Sequence, residues 1–190
     1  MPKLVGSTQG IIDWDPIVEI CRNSNQGDFN TPAGVIDRSE AEAEGPLLES
    51  YRSIMRTWID AGYKLEEIEW YDYYPGEHFD IDVQNRFGDI VNADARRVFV
   101  SEVWPGRNVP YHWDVEDKEE EWLAEGELKR WVCFMDKPRW GHVLMFDNVA
   151  FYNQPQHEIW EWDHYKDYHA GTNCGTEPYY LFHFLGKPRD

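Results

Sequence analysis

His112 and Asp114 are separated by one residue. On an extended strand, residues i and i+2 project from the same face, so this spacing aims an imidazole nitrogen and a carboxylate oxygen at one point. Both are ligands for a divalent metal. A second imidazole would complete a set of three on one side of the ion and leave other coordination positions open. That second histidine has to come from far along the chain, and His157, His164, His169 and His183 all lie beyond Asp114. His164 sits among charged residues and reads as exposed, while His183 lies inside an apolar run. His157, in Gln156-His157-Glu158-Ile159-Trp160, is one strong choice. His169 is the other, because a stretch containing Gly171 and Gly175 follows it and lets the next strand return past the metal.

Residues of this kind need rigid elements to hold them. From Ile68 onward the sequence reads as short strands: Ile68–Tyr74, Arg97–Trp104, Arg130–Met135, His142–Phe146, Ile159–Trp162 and Tyr179–Leu185. Pro75-Gly76, Pro105-Gly106, Lys137-Pro138 and Gly175 with Pro178 separate them as turn signals. Many short strands with few helices predict a sandwich, jelly roll or barrel. One clear helix is expected from Pro46 to about Ala61. Leu47, Leu48, Tyr51, Ile54, Met55, Trp58 and Ile59 fall on one face, Pro46 suits the first helical position and Gly62 the stop. It should buttress the sheet. A second helix is expected over Lys118 to Glu125. Residues 1 to about 45 read as irregular, with Glu40, Glu42 and Glu44 as a solvated loop. The division is thus a segment 1–65 carrying the buttress and a strand-rich core 66–190, together one domain.

Composition narrows the partners. The formal net charge is −18, which disfavours nucleic acid and anionic membrane surfaces, since both need clustered Lys and Arg. Aromatic residues make up 16% of the 190, more than a disordered chain carries, so a folded core with an aromatic-walled cavity is expected. Cys21, Cys133 and Cys174 are odd in number and form no zinc-like spacing, which points to reduced thiols and a cytoplasmic setting. No signal peptide or membrane-length apolar stretch is legible.

The stretch Glu102 to Gly186 resembles the 2-oxoglutarate and Fe(II)-dependent oxygenases, and within them a small bacterial and phage type related to aspartyl/asparaginyl β-hydroxylases. The matching pieces are Pro105-Gly106 before His112-x-Asp114, Arg130 in a strand, Gly141-His142, Ile159-Trp160-Glu161-Trp162, His169-x-x-x-Asn173-x-Gly175-x-x-Pro178-x-Tyr180, and Gly186. The resemblance implies a mainly β, double-stranded β-helix (a cupin-like jelly roll) with one or two buttressing helices from the N-terminal part. It implies Fe(II) held by His112, Asp114 and His169. It also implies 2-oxoglutarate and O2 as cosubstrates, and hydroxylation of a C–H bond in an amino acid, a peptidyl residue or another small substrate.

One departure stands out. The family places Arg directly after the proline, where it pairs with the remote carboxylate of 2-oxoglutarate; here the residue is Tyr179. Arg130 on an earlier strand is one replacement anchor. Tyr179 with His142, and His183 close by, is a second, because Tyr179, Leu181 and His183 share a strand face. A metalloenzyme that does not use 2-oxoglutarate, or a non-catalytic binding barrel, are the alternatives. Asn173 is expected either near the site or as a turn residue, and Trp113 is expected to point away from the metal.

Overall fold

A computed structural model describes residues 2–24, 28–30, 46–64, 67–114, 118–137, 139–163 and 168–189. Glu40, Glu42, Glu44, His164 and Glu116 lie outside them. The described residues form β1 (Lys3–Ser7), α1 (Asp15–Ser24), β2 (Asp28–Asn30), α2 (Pro46–Asp60), β3 (Trp70–Tyr73), α3 (Asp82–Val91), β4 (Ala93–Val103) and β5 (Asn108–His112). They continue with α4 (Glu119–Ala124), β6 (Lys129–Phe134), β7 (His142–Phe146), β8 (Val149–Tyr152), β9 (Glu158–Asp163), β10 (His169–Asn173) and β11 (Tyr179–Pro188).

The strands make two antiparallel sheets. One has the order β1-β9-β6-β11-β4-β3-β2 and the other β5-β10-β7-β8. From β4 onward the chain passes back and forth between them, β4, β6, β9 and β11 in the larger sheet and β5, β7, β8 and β10 in the smaller. That winding is a double-stranded β-helix, as the family resemblance implied.

Strand periodicity gives the larger sheet two apolar faces. Val98, Val100, Trp131, Cys133, Phe182 and Phe184 face outward and are covered by Ile17, Val18 and Cys21 of α1 and by Val83 and Phe87 of α3. Val103, Val132, Trp162, Tyr179 and Leu181 face the smaller sheet and meet Leu144, Phe146 and Phe151 there. The second face is the barrel lining. At the end of the barrel away from the metal ligands, Gly141 approaches Gly175 so closely that a Cβ on either would collide with backbone, and Gly141 adopts a φ of 93°. Only glycine meets both demands.

Several expectations need correction. Residues 1–45 are not wholly irregular: β1 and α1 form there, α1 being held by the tertiary contact of Ile17, Val18 and Cys21 rather than by its propensity. Helix α3 interrupts the stretch read as strands, because Val83 and Phe87 bury on the same outer face. β8 and β10 are additional strands. β4 starts at Ala93, β11 runs on to Pro188, and Ile68 makes only an isolated bridge to Asn108. The buttress is as expected: Ile54 and Trp58 of α2 pack on Ile68, and Trp58 Nε1 donates to Tyr111 O at 3.0 Å, which ties α2 to β5.

Candidate metal centre

His112 closes β5 and His169 opens β10, and the two are register partners across the smaller sheet. Their rings lie 4.3 Å apart between centroids. Asp114 lies just beyond the end of β5, so the i, i+2 rule does not place it. The turn after His112 swings its carboxylate back between the imidazoles. His112 Nε2 is 3.6 Å from Asp114 Oδ1, and His169 Nε2 is 3.4 Å from Asp114 Oδ2. One ligand atom from each of the three lies within 4.8 Å of the others. Ligands about 2.1 Å from one ion and at right angles stand about 3 Å apart, so the donors need to move only slightly to share a metal.

Local contacts set the donor states. His112 Nδ1 is 2.7 Å from Pro110 O. A carbonyl only accepts, so Nδ1 carries the proton and the Nε2 lone pair faces Asp114. The indole of Trp58 stands edge-on to the His112 ring at 5.9 Å. His169 packs among Phe146 and Trp162, at 5.8 and 6.0 Å between centroids. Burial would raise the Asp114 carboxyl, yet the Arg130 guanidinium beside it, with His169 and His112 adding to the effect, holds it well below the usual carboxylate range. Arg130 Nε is 3.1 Å from Asp114 Oδ2, and Arg130 is 2% exposed.

The remaining expected site residues divide into two places. Arg130 stands at the ligand cluster. His183 also faces that end: it aligns with Val132 and Phe99, stacks on Phe99 at 4.6 Å, and its Nε2 is 2.8 Å from Ser101 Oγ. Burial is the main force that pushes its pKa down to about 3; Asp114 opposes the shift, and His169, Arg130 and Arg97 add to it. Tyr179, His142 and Asn173 meet at the opposite end. The Tyr179 and His142 rings are 5.0 Å apart, so His183 is not beside them as expected. His142 Nε2 is 2.9 Å from Glu177 O, and burial lowers its pKa. Asn173 braces the turn, donating to Val103 O and Glu177 O and accepting from Gly175 N. The structure therefore places Asn173 away from the ligands and in the turn role.

His157 is not brought to the cluster. It has a φ of 79°, and its Nδ1 is 3.0 Å from Thr8 Oγ1, which also accepts from Trp14 Nε1 at 2.7 Å. Trp113 turns toward Tyr168, at 5.2 Å between rings, and packs beside Trp58 and Ile68. Arg107 pairs with Glu69 at 2.6 Å. Sequence reasoning did not single out Trp58, Pro110, Phe99 or Ser101. Trp58 was legible only as a helix-face residue, and nothing local marks the other three.

No family model matches the chain, and no curated protein matches its sequence. Solved structures similar to it include the viral collagen prolyl hydroxylase vCPH of Paramecium Bursaria Chlorella virus-1, in its 2OG complex. That match has 18% identity, 73% coverage of this chain and 89% of that one, and a TM-score of 0.46. A Pseudomonas putida prolyl-4-hydroxylase matches at 13% identity, over 92% of this chain and all of that one, with a TM-score of 0.46. A putative sugar phosphate isomerase from Acidithiobacillus ferrooxidans matches at 13% identity, over 53% and 55%, with a TM-score of 0.33. Among the described residues, no helix is long and apolar enough to cross a membrane.

Two imidazoles and an ionised carboxylate on one side fit a divalent iron. The remote carboxylate of 2-oxoglutarate fits less well. The barrel wall beyond the ligands is lined by Leu144, Leu181 and the buried Tyr179, whose phenol burial keeps neutral.

Proposed function

We propose that residues 1–190 form a single oxygenase domain that binds Fe(II) through His112, Asp114 and His169 and uses O2 with a 2-oxo acid to hydroxylate a C–H bond. The observation that carries this reading is the convergence of the three donor groups on one side of one point, at the end of a double-stranded β-helix. In such an enzyme the iron supplies O2 activation coupled to loss of CO2 from the 2-oxo acid. The overall change is R–H + O2 + 2-oxo acid → R–OH + CO2 + the carboxylic acid one carbon shorter, and with 2-oxoglutarate that acid is succinate.

The chain's own residues bind and orient. Pro110 O fixes the His112 tautomer, and α2 supports β5 through Trp58. Arg130 keeps Asp114 ionised and holds positive charge beside the ligand set, where an anionic cosubstrate headgroup would arrive. Phe146 and Trp162 pack around His169 and exclude water from that side. The resemblance to aspartyl/asparaginyl β-hydroxylases supports an amino acid, peptidyl residue or other small molecule as substrate. The charge of −18 supports a partner other than nucleic acid or an anionic membrane. Three cysteines, odd in number and without zinc-like spacing, support a reducing, cytoplasmic setting.

The test is anaerobic. Protein mixed with Fe(II) and, separately, pyruvate, 4-methyl-2-oxopentanoate or 2-oxoglutarate is expected to give a visible charge-transfer band with at least one of them, and CO2 release once air is admitted. Bound iron with no band and no CO2 from any 2-oxo acid sinks the reading. The neutral deep wall favours a second reading, a cupin-like metalloenzyme that needs no 2-oxo acid. Iron- and O2-dependent turnover indifferent to all three acids selects it.

A further inference from the structure

The inner wall of the barrel changes character with depth, and this bears on which 2-oxo acid the proposed enzyme takes. At the ligand end, one row across the larger sheet holds Arg97, Leu185 and Arg130. The next row inward holds Phe99, His183 and Val132, and the one after it Ser101, Leu181 and Phe134. Val103 pairs with Tyr179 beyond that. On the facing sheet, His169 and Phe146 are followed inward by Gly171 and Leu144, then by Asn173 and His142. Among the described residues, no Lys or Arg occupies an inward position of these strands beyond Arg130.

Tyr179 fills the place where a remote charge would sit. It is 5% exposed, and its phenol lies against Gly171, where an added Cβ would collide with the Oη atom. The remote carboxylate of 2-oxoglutarate lies roughly 5 Å past its keto carbon, which is one to two strand residues at about 3.3 Å each. A cosubstrate bound at the depth of His169 would therefore carry that charge to Gly171, Leu144, Leu181 and Tyr179. Lys137 and Arg139 lie past the end of β6, at the outer rim of a cleft whose inner side is formed by Leu144, Tyr179 and Leu181; Lys137 is exposed, and Arg139 pairs with Asp136 at 3.3 Å. Arg130 is bound to Asp114 one row outside Val132, so its charge serves the headgroup end of the cosubstrate. A carboxylate moved from water to this wall meets uncharged polar groups, the Tyr179 phenol, the Ser101 hydroxyl engaged with His183 and the His142 ring engaged with Glu177 O, and, among the described residues, no free cation. It is therefore disfavoured, whereas an alkyl tail gains by the same transfer.

We propose that the deep half of this barrel selects a 2-oxo acid with an uncharged tail, aliphatic or bearing one hydrogen-bond acceptor for Tyr179 Oη, over 2-oxoglutarate. The inference rests on the oxygenase reading above. The probes are 4-methyl-2-oxopentanoate and 2-oxoglutarate, titrated without oxygen into the Fe(II)-loaded full chain and read from the charge-transfer band. The expected result is half-saturation at a concentration at least tenfold lower for 4-methyl-2-oxopentanoate. Tyr179→Arg, which puts a cation at that depth, is expected to move the ratio at least tenfold toward 2-oxoglutarate. Equal or tighter binding of 2-oxoglutarate by the native chain overturns the inference and leaves the oxygenase reading standing, and this comparison holds whether or not the variant folds. A folded, iron-loaded Tyr179→Arg with an unchanged ratio also overturns it. Bound iron with no band from either acid overturns both readings.

Discussion

The buried Glu102 and the part-buried Asp114 have opposite surroundings. Glu102 lies on the outer face of β4 and is 2% exposed. Tyr73 Oη donates to one of its oxygens and Tyr180 Oη to the other, each at 2.7 Å, and Tyr73 Oη also reaches Cys21 O at 3.0 Å. Burial first, and then Glu102, push the Tyr180 phenol pKa upward. Both oxygens of Glu102 are served by hydroxyl donors, so the group joins β3, β4, β11 and α1 and leaves nothing for a ligand. Asp114 is ringed instead by the Arg130 guanidinium at 3.1 Å and by two imidazole nitrogens at 3.4 and 3.6 Å. Charge and metal-ligating nitrogens converge there in place of hydroxyl donors. A satisfied buried acid braces a fold, whereas a convergent acid left open on one side is arranged for something that arrives later.

Substitutions can break that contrast. The largest effect is expected from Asp114→Ala. Partners that merely orient a ligand cost 10–100-fold in metal affinity, so loss of the ligand should exceed about 100-fold in Fe(II) affinity while circular dichroism stays native. Glu102→Ala should do the reverse. It strands two phenols and is expected to cost about 3 kcal/mol in denaturant unfolding, with iron affinity unchanged within about twofold. A large loss of iron from this variant would erase the distinction. Trp58→Phe comes next: it removes the hydrogen bond to Tyr111 O, at about 1 kcal/mol, and should weaken iron binding by a factor of a few through β5.

An effect confined to low pH, and absent at neutral pH, concerns His183. Its folded pKa of about 3 lies below the ordinary value of 6.5, so the unfolded chain binds a proton that the folded chain refuses. The stabilisation is full above about pH 6.5 and fades as pH falls toward 3. His183→Gln is expected to flatten the pH dependence of unfolding in that window and to leave it unchanged above pH 7. An unaltered slope would show that His183 titrates normally.

Much of the site was legible because its residues sit in local patterns. His112-x-Asp114, the Gly-rich stretch after His169 and the alternation around Tyr179 are all readable within a dozen residues. What escaped depends on tertiary contact. α1 and α3 bury only three or so side chains each and gain their stability from the outer face of a sheet assembled from distant strands. The convergence of Asp114 was right in outcome, but the strand rule invoked for it does not apply, since β5 ends at His112. The separation of His183 from Tyr179 follows from a strand rise of about 3.3 Å per residue, which puts residues on one face at different depths. The choice between His157 and His169 needed the fold, because only the winding shows that His157 turns to Thr8.

The most direct test is the iron content of four purified proteins after anaerobic loading with Fe(II) and desalting: the native chain, His112→Ala, His169→Ala and His157→Ala. One tightly held iron per chain is expected for the native protein and for His157→Ala, and close to none for the other two. Iron retained by His169→Ala and lost by His157→Ala would contradict this ligand assignment.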